Sequence, residues 1–296
     1  MAASVAACAS PDTTDEQSLA VKLVYLGNPE MAVPPLRSLV EAGHEVVRVI
    51  TRADKRRGRG GATSPSPVKA AANELGLTVS HDPDDVLDAV ADGAELGVVV
   101  AFGRIIEPHL LDAVPMVNLH FSLLPRWRGA APVERALLAG DDETGVGVMR
   151  VEEGLDTGGL YAEERIPIGG ETTAAELRAQ LVDIGSELLV EVLSRPVREW
   201  IGDARPQAGE PVYASKLDKA EFEIDWSEPV EQVHRRIRVG GAWTTFRGKR
   251  LKIVEARLDE ARLRPVTVQP EGKGPMPFEA WRNGAQPTPD ELFGEL

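Results

Sequence analysis

Residues 96–102 read LGVVVAF, a near-continuous apolar run seven residues long. A strand with one solvated face alternates polar and apolar side chains, whereas a run without alternation needs cover on both faces. That is the situation of a strand inside a parallel sheet sandwiched by helices. Similar runs lie at 21–26 (VKLVYL), 45–50 (EVVRVI) and 115–119 (PMVNL). Helical patterns at 31–41, 68–75, 84–91 and 131–139 separate or follow them, with Gly43 as a stop for the first. A further strand is expected at 147–151 and a long helix at 172–193 with a threonine cap. Strands alternating with helices imply an α/β domain with a Rossmann-like, mostly parallel sheet, in which ligands sit beyond the carboxyl ends of the strands.

The pattern changes after residue 201. Prolines 196, 206 and 211 bracket a stretch without periodicity, and residues 202–212 are read as a linker. Short β-prone runs beyond it, including 251–256 and 266–268, indicate a small β-rich second domain over 213–296. At the other end, residues 1–20 lack a basic start, carry Asp12, Asp15 and Glu16, and are expected to form a disordered extension rather than a secretory signal. The catalytic domain is then 21–201. Cys8 is the only cysteine, which excludes an internal disulfide and suits a reducing cytoplasm.

The net charge of −14 argues against nucleic-acid binding through the average field, but its distribution is uneven. Residues 51–60 carry Arg52, Lys55, Arg56, Arg57 and Arg59 against Asp54 alone, and a second basic cluster, HRRIR, occupies 234–238. Neither G-x-G-x-x-G nor G-x-x-x-x-G-K-[ST] occurs, so neither a dinucleotide nor ATP is expected. The five histidines show no metal-binding spacing, and no metal is expected.

Residues 118–132, NLHFSLLPRWRGAAP, carry the chemistry. Asn118 and His120 are two positions apart at the end of an apolar run, so on a strand they project from the same face. A donor amide beside a titratable ring suits an oxyanion and a moving proton. Asp156, in the turn EEGLDTG at 152–158, supplies a carboxylate 36 positions after the histidine.

These two segments resemble the signature of the folate-dependent formyltransferases, and the closest likeness is to the branch acting on charged initiator tRNA. The resemblance runs from about residue 21 to 258 and again through VQPEGK at 268–273. It implies that Asn118, His120 and Asp156 form the catalytic group. It places Ser122, Leu123, Leu124 and Pro125 against tetrahydrofolate, with Phe102 in the apolar wall of the pterin pocket. Loop 51–67, with Arg56, Arg57 and Arg59, corresponds to the loop that enters the acceptor stem of initiator tRNA, and SPSPVK at 64–69 extends that match. The second domain is then a small OB-like β-barrel that binds tRNA. The implied reaction moves the formyl group of 10-formyltetrahydrofolate to the α-amine of methionyl initiator tRNA. No stretch approaches the roughly 18 apolar residues that cross a bilayer, and nothing in the sequence demands more than a monomer, so a cytoplasmic monomer off the membrane is expected.

Two departures stand out: Phe121 stands where many members have glycine, and the barrel is short between 258 and 266. An amino sugar is the rival acceptor, against which the basic loop and KLDKAEFEIDW at 216–226 both speak. A hydrolase releasing formate, and a non-catalytic RNA-binding protein, complete the alternatives.

Overall fold

The protein was analysed as a computed structural model, which describes residues 20–56, 63–259, 262–288 and 291. The extension at 1–19 with Cys8, and Arg57 and Arg59 of the basic loop, lie outside the described residues. In chain order the first half contains β1 (Lys22–Gly27), α1 (Val33–Glu41), β2 (Glu45–Ile50), β3 (Lys55–Arg56), β4 (Thr63–Ser64), α2 (Pro67–Glu74), β5 (Val79–Ser80), α3 (Val86–Ala91), β6 (Leu96–Val100), α4 (Pro108–Ala113) and β7 (Met116–His120). Then follow β8 (Arg128–Gly129), α5 (Pro132–Ala139), β9 (Glu143–Arg150), β10 (Leu160–Pro167), α6 (Ala174–Leu193) and α7 (Val197–Trp200).

The main sheet has the order β10-β9-β7-β6-β1-β2-β5, parallel from β7 to β5, with β9 and β10 added antiparallel at one edge. The chain winds outward from β1 through β2 to β5, then returns to β6 on the other side of β1. This reversal opens a crevice at the carboxyl ends of β1 and β6, beside the end of β7. All five residues of β6 are buried, as its unbroken apolar run requires.

Alternation within the strands builds two layers. Leu23, Tyr25, Val98, Val117 and Leu119 face Leu36 and Leu39 of α1 and Leu177, Leu181 and Leu189 of α6. Val24, Leu26, Val99 and Met116 face Val86 and Ala89 of α3 and Leu110 of α4. Each such side chain, fully buried, contributes roughly 1.5–3 kcal/mol. Helix α6 starts at a capping box: the Thr173 hydroxyl accepts from the Glu176 N–H at 3.2 Å, and the Glu176 carboxylate accepts from the Thr173 N–H at 2.9 Å.

Beyond α7 come β11 (Tyr213–Ala214), α8 (Val230–Val239), β12 (Trp243–Phe246), β13 (Lys249–Asp259), β14 (Arg262–Pro270), β15 (Met276–Pro277) and α9 (Phe278–Ala285). The expected α/β class with a β-rich second part is borne out; the second part is an antiparallel sheet in the order β12-β13-β14-β15. Its core gathers Ile224, Val233, Ile237, Leu251, Ile253, Leu263, Val268, Phe278 and Trp281. Strands β13 and β14 pair out to Asp259 and Arg262, so paired strands reach into the shortened stretch noted in the sequence.

The cations of the HRRIR cluster have partners within the protein, with Arg235 beside the Ala139 carbonyl at 3.5 Å. The cluster lies on α8: His234 and Ile237 are buried, Arg236 grips Glu228, and Arg238 donates to the carbonyls of Thr172 (3.0 Å) and Gly170. Arg135 of α5 bonds across to Ser215 and to Glu221 at 2.6 Å, so the two cores are held together by cations.

Candidate active site at the carboxyl end of the sheet

Strand β7 delivers Asn118 and His120 to the same face as Met116, where the strand outruns the cover of α3 and α4. Among the described residues the Asn118 amide has no protein partner, and its side chain is half-buried. His120 is 5% exposed. Its Nε2 lies 3.0 Å from the carbonyl oxygen of Trp127. A carbonyl only accepts, so Nε2 carries a hydrogen and donates it. Nδ1 faces Oδ2 of Asp156 at 3.6 Å. That same Oδ2 accepts the backbone N–H of Gly129 at 2.8 Å. Asp156 itself has φ +50°, a left-handed conformation that costs a residue with a Cβ about 1–2 kcal/mol. The three residues selected from the sequence are thus brought to one place.

The connecting loop is held from within. Ser122 is fully buried and donates its hydroxyl to the Arg126 carbonyl at 2.7 Å, so it closes the turn. Leu124 packs with Met149 and Leu160, and Pro125 is buried behind a cis bond from Leu124. Leu123 instead borders a groove of about 700 Å³ shared with Trp127, Asp141, Thr144 and Arg165, which none of Asn118, His120 or Asp156 lines. Phe121, the residue at the position where many members have glycine, is 4% exposed. Alternation turns it to the other face, where it joins Leu119 in the core.

Trp127 sits at φ +65°, and its indole N–H donates to Oδ2 of Asp141 at 2.7 Å. Arg126 donates to both oxygens of Asp141, at 2.9 and 2.6 Å, with its guanidinium 4.5 Å from the centre of the Trp127 ring. Burial pushes the Asp141 carboxyl up, but the bonds from Arg126 and Trp127, with the nearby arginine charges, outweigh it and hold it below its ordinary value. The indole, and with it the carbonyl that orients His120, is thereby fixed.

Phe102 is 4% exposed and lies on the same sheet face as Met116. Asn28, at the end of β1, donates to the Phe102 carbonyl, while its own oxygen accepts from Thr51 (3.1 Å) and from the Arg52 N–H (2.7 Å). Thr51 also bonds Ser66, the cap of α2, at 2.7 Å. Both feet of loop 51–67 are therefore tied to the sheet beside Phe102. Arg56 lies on the β3–β4 hairpin of that loop. The sequence did not single out Asn28 or Asp141, nor Gln207, which bonds the carbonyls of Asp156 and Gly158. The turn Gly27-Asn28-Pro29 after β1 is the local signal that marks Asn28.

Among the described residues, no three His, Cys, Asp or Glu side chains are arranged to hold a metal ion. Nor is any helix among them long and apolar enough to cross a membrane.

Fold and site together mark a group-transfer enzyme of the formyltransferase class. Residues 21–193 match the formyl transferase family, and residues 216–264 match the formyl transferase C-terminal domain. A methionyl-tRNA formyltransferase from Dinoroseobacter shibae is 45% identical over 251 residues, covering 81% of this chain and 83% of its own. With such coverage on both sides, the chain belongs to the formyl transferase family and, within it, to the methionyl-tRNA formyltransferases. Two solved structures share the fold at low identity. HypX from Aquifex aeolicus in complex with tetrahydrofolic acid aligns with a TM-score of 0.63 and 16% identity over 90% of this chain, which spans about half (47%) of that longer one. Methionyl-tRNA formyltransferase from Clostridium thermocellum aligns with a TM-score of 0.56 and 15% identity, over 86% of this chain and 100% of the other.

Proposed function

We propose that this enzyme transfers the formyl group of 10-formyltetrahydrofolate to the α-amino group of methionyl initiator tRNA, as a cytoplasmic monomer supplying the initiator for protein synthesis. The observation that carries the reading is the convergence of Asn118, His120 and Asp156 at the open end of β7, within a chain that matches the family over both of its parts.

Bound formyltetrahydrofolate supplies a formyl carbon on a nitrogen leaving group. The site suits it: Asn118 presents an amide with no partner among the described residues, and Phe102 and its strand give an apolar wall beside it. Asn118 donates to the formyl oxygen as negative charge develops there. Asp156 has one oxygen held by Gly129, and its other oxygen takes the proton that the amine loses as its nitrogen bonds to the formyl carbon. His120, with Nε2 tied to Trp127 and Nδ1 facing the oxygen that Gly129 holds, orients the carboxylate, which passes the proton on to the departing folate nitrogen. The cleft side chains Leu123, Leu124, Pro125 and Ser122 act by shaping the loop behind the donor. Arg56, Arg57 and Arg59 grip the phosphates and base edges of the tRNA acceptor stem.

The test is formyl transfer to methionyl initiator tRNA with methionyl elongator tRNA alongside. Initiator-selective turnover is expected, with His120→Ala and Asp156→Asn each slower by roughly 10²–10³ while remaining folded. Near wild-type turnover by either variant removes that residue from the mechanism. Turnover of an amino sugar nucleotide in place of the tRNA overturns the acceptor.

A further inference from the structure

Gln207 lies in the stretch expected to be a mere linker, yet its side chain reaches two segments of the catalytic site. Its amide nitrogen lies 2.8 Å from the carbonyl oxygen of Asp156 and 2.8 Å from that of Gly158. Its amide oxygen lies 3.0 Å from Nε and 2.6 Å from Nη2 of Arg128. A guanidinium only donates and a carbonyl only accepts, so the orientation of this amide is fixed by its partners. Arg128 precedes Gly129, whose N–H holds the Asp156 carboxylate. The bonds therefore close a ring: Asp156 carboxylate to Gly129, Arg128 side chain to Gln207, and Gln207 back to the Asp156 main chain.

This ring fastens a turn of unusual backbone. Asp156 sits in the left-handed region at φ +50°, which aspartate enters more readily than most residues with a Cβ but still at a cost. The Gln207 amide fastens the carbonyl of that very residue. Gln207 is delivered on a main chain pinned on both sides: Arg205 and Leu160 exchange backbone bonds of 2.8 Å, and the Val212 carbonyl accepts from the Arg128 N–H at 2.8 Å.

We propose that Gln207 is a positioning residue for formyl transfer, holding Asp156 in the orientation in which its carboxylate meets the amine proton. The inference rests on the reading of Asp156 as the acceptor of that proton.

A double-mutant cycle on the full-length enzyme tests it, with kcat measured at saturating 10-formyltetrahydrofolate and KM measured for both substrates. Gln207→Ala is expected to lower kcat by roughly 10- to 100-fold, as displacement of a reacting group by about 1 Å does. Gln207→Glu keeps the acceptor for Arg128 but loses both donors to the 156–158 turn, and it should be slowed as much. In an Asp156→Asn background, Gln207→Ala should cost no more than about two-fold, because its effect passes through Asp156. KM for either substrate should move by less than about two-fold in Gln207→Ala, a split that general loosening of the fold does not give. The same fold-loss from Gln207→Ala in both backgrounds overturns the inference, as does wild-type kcat in Gln207→Ala or Gln207→Glu beside a slow Asp156→Asn. Near wild-type transfer by Asp156→Asn alone brings down the role of Asp156 and this inference with it.

Discussion

Gly129→Ala concentrates several of these constraints in one methyl group. Gly129 has φ +121°, where side chains are strained, and an added Cβ would stand 2.9 Å from the Ala214 carbonyl oxygen and 3.4 Å from its carbon. That carbonyl is fixed, since it accepts the N–H groups of Ala130 at 2.9 Å and Ala131 at 3.2 Å on the flank of the β8–β11 pair. The backbone conformation alone costs about 1–3 kcal/mol. Relieving the contact pulls the Gly129 N–H from the Asp156 carboxylate, a charge-assisted bond worth roughly 1.5–3 kcal/mol. The combined loss, about 2.5–6 kcal/mol, corresponds to a drop in melting midpoint on the order of 10 °C. Gly76→Ala is the matched control, because Gly76 has φ +70° with nothing within 4 Å of an added Cβ. It should cost about 1–2 kcal/mol and leave formyl transfer intact. Thermal unfolding and single-turnover transfer would be measured on both variants. Equal midpoints for the two, with full transfer by Gly129→Ala, would refute the argument that this main-chain approach holds Asp156.

Two further outcomes are expected. Burial pulls the pKa of His234 below its ordinary value; Glu171, 3.4 Å from Nε2, opposes this and Arg238 adds to it. The unfolded chain therefore binds the proton more readily, so stability is whole above about pH 6.5 and falls as the pH drops through the folded-state value. His234→Gln should flatten that acid-side slope in melting experiments, and an unchanged slope would exonerate His234. Arg59→Leu should lower kcat/KM for tRNA far more than it weakens folate binding, measured by titration with 10-formyltetrahydrofolate; equal losses in the two would remove Arg59 from tRNA recognition.

What was legible in the sequence was what is local. Asn118 and His120 are two apart on one strand, so their common face follows from strand geometry, and β6 announces its double burial in LGVVVAF. The capping box at Thr173 and Glu176 is likewise written within one turn. Gln207 was not legible, because its role exists only in contacts made 51 and 79 positions away. Helix α8 was hidden by its charge: Val230, Val233 and Ile237 keep helical spacing, but the last of them lies within HRRIR, whose cations are engaged by Glu228 and by backbone carbonyls. Strand β10 escaped because its middle, AEER, is polar on an edge where only β9 pairs with it. The face of Phe121 follows from the same local rule, since a position just past a strand end still obeys the strand's alternation.

The pairing of β8 with β11, together with the exchange between Leu160 and Arg205, sets where one interchangeable unit ends and the next begins. Counted by chain order, the first unit would close near residue 201. Counted by hydrogen bonds, it closes after Ala214, since the intervening residues complete the walls around Gly129 and Asp156. A chimera that borrows a different acceptor-recognition unit must therefore inherit residues 202–214 from the catalytic parent. Joined earlier, the same two parents would each contribute a sound core and share a broken seam.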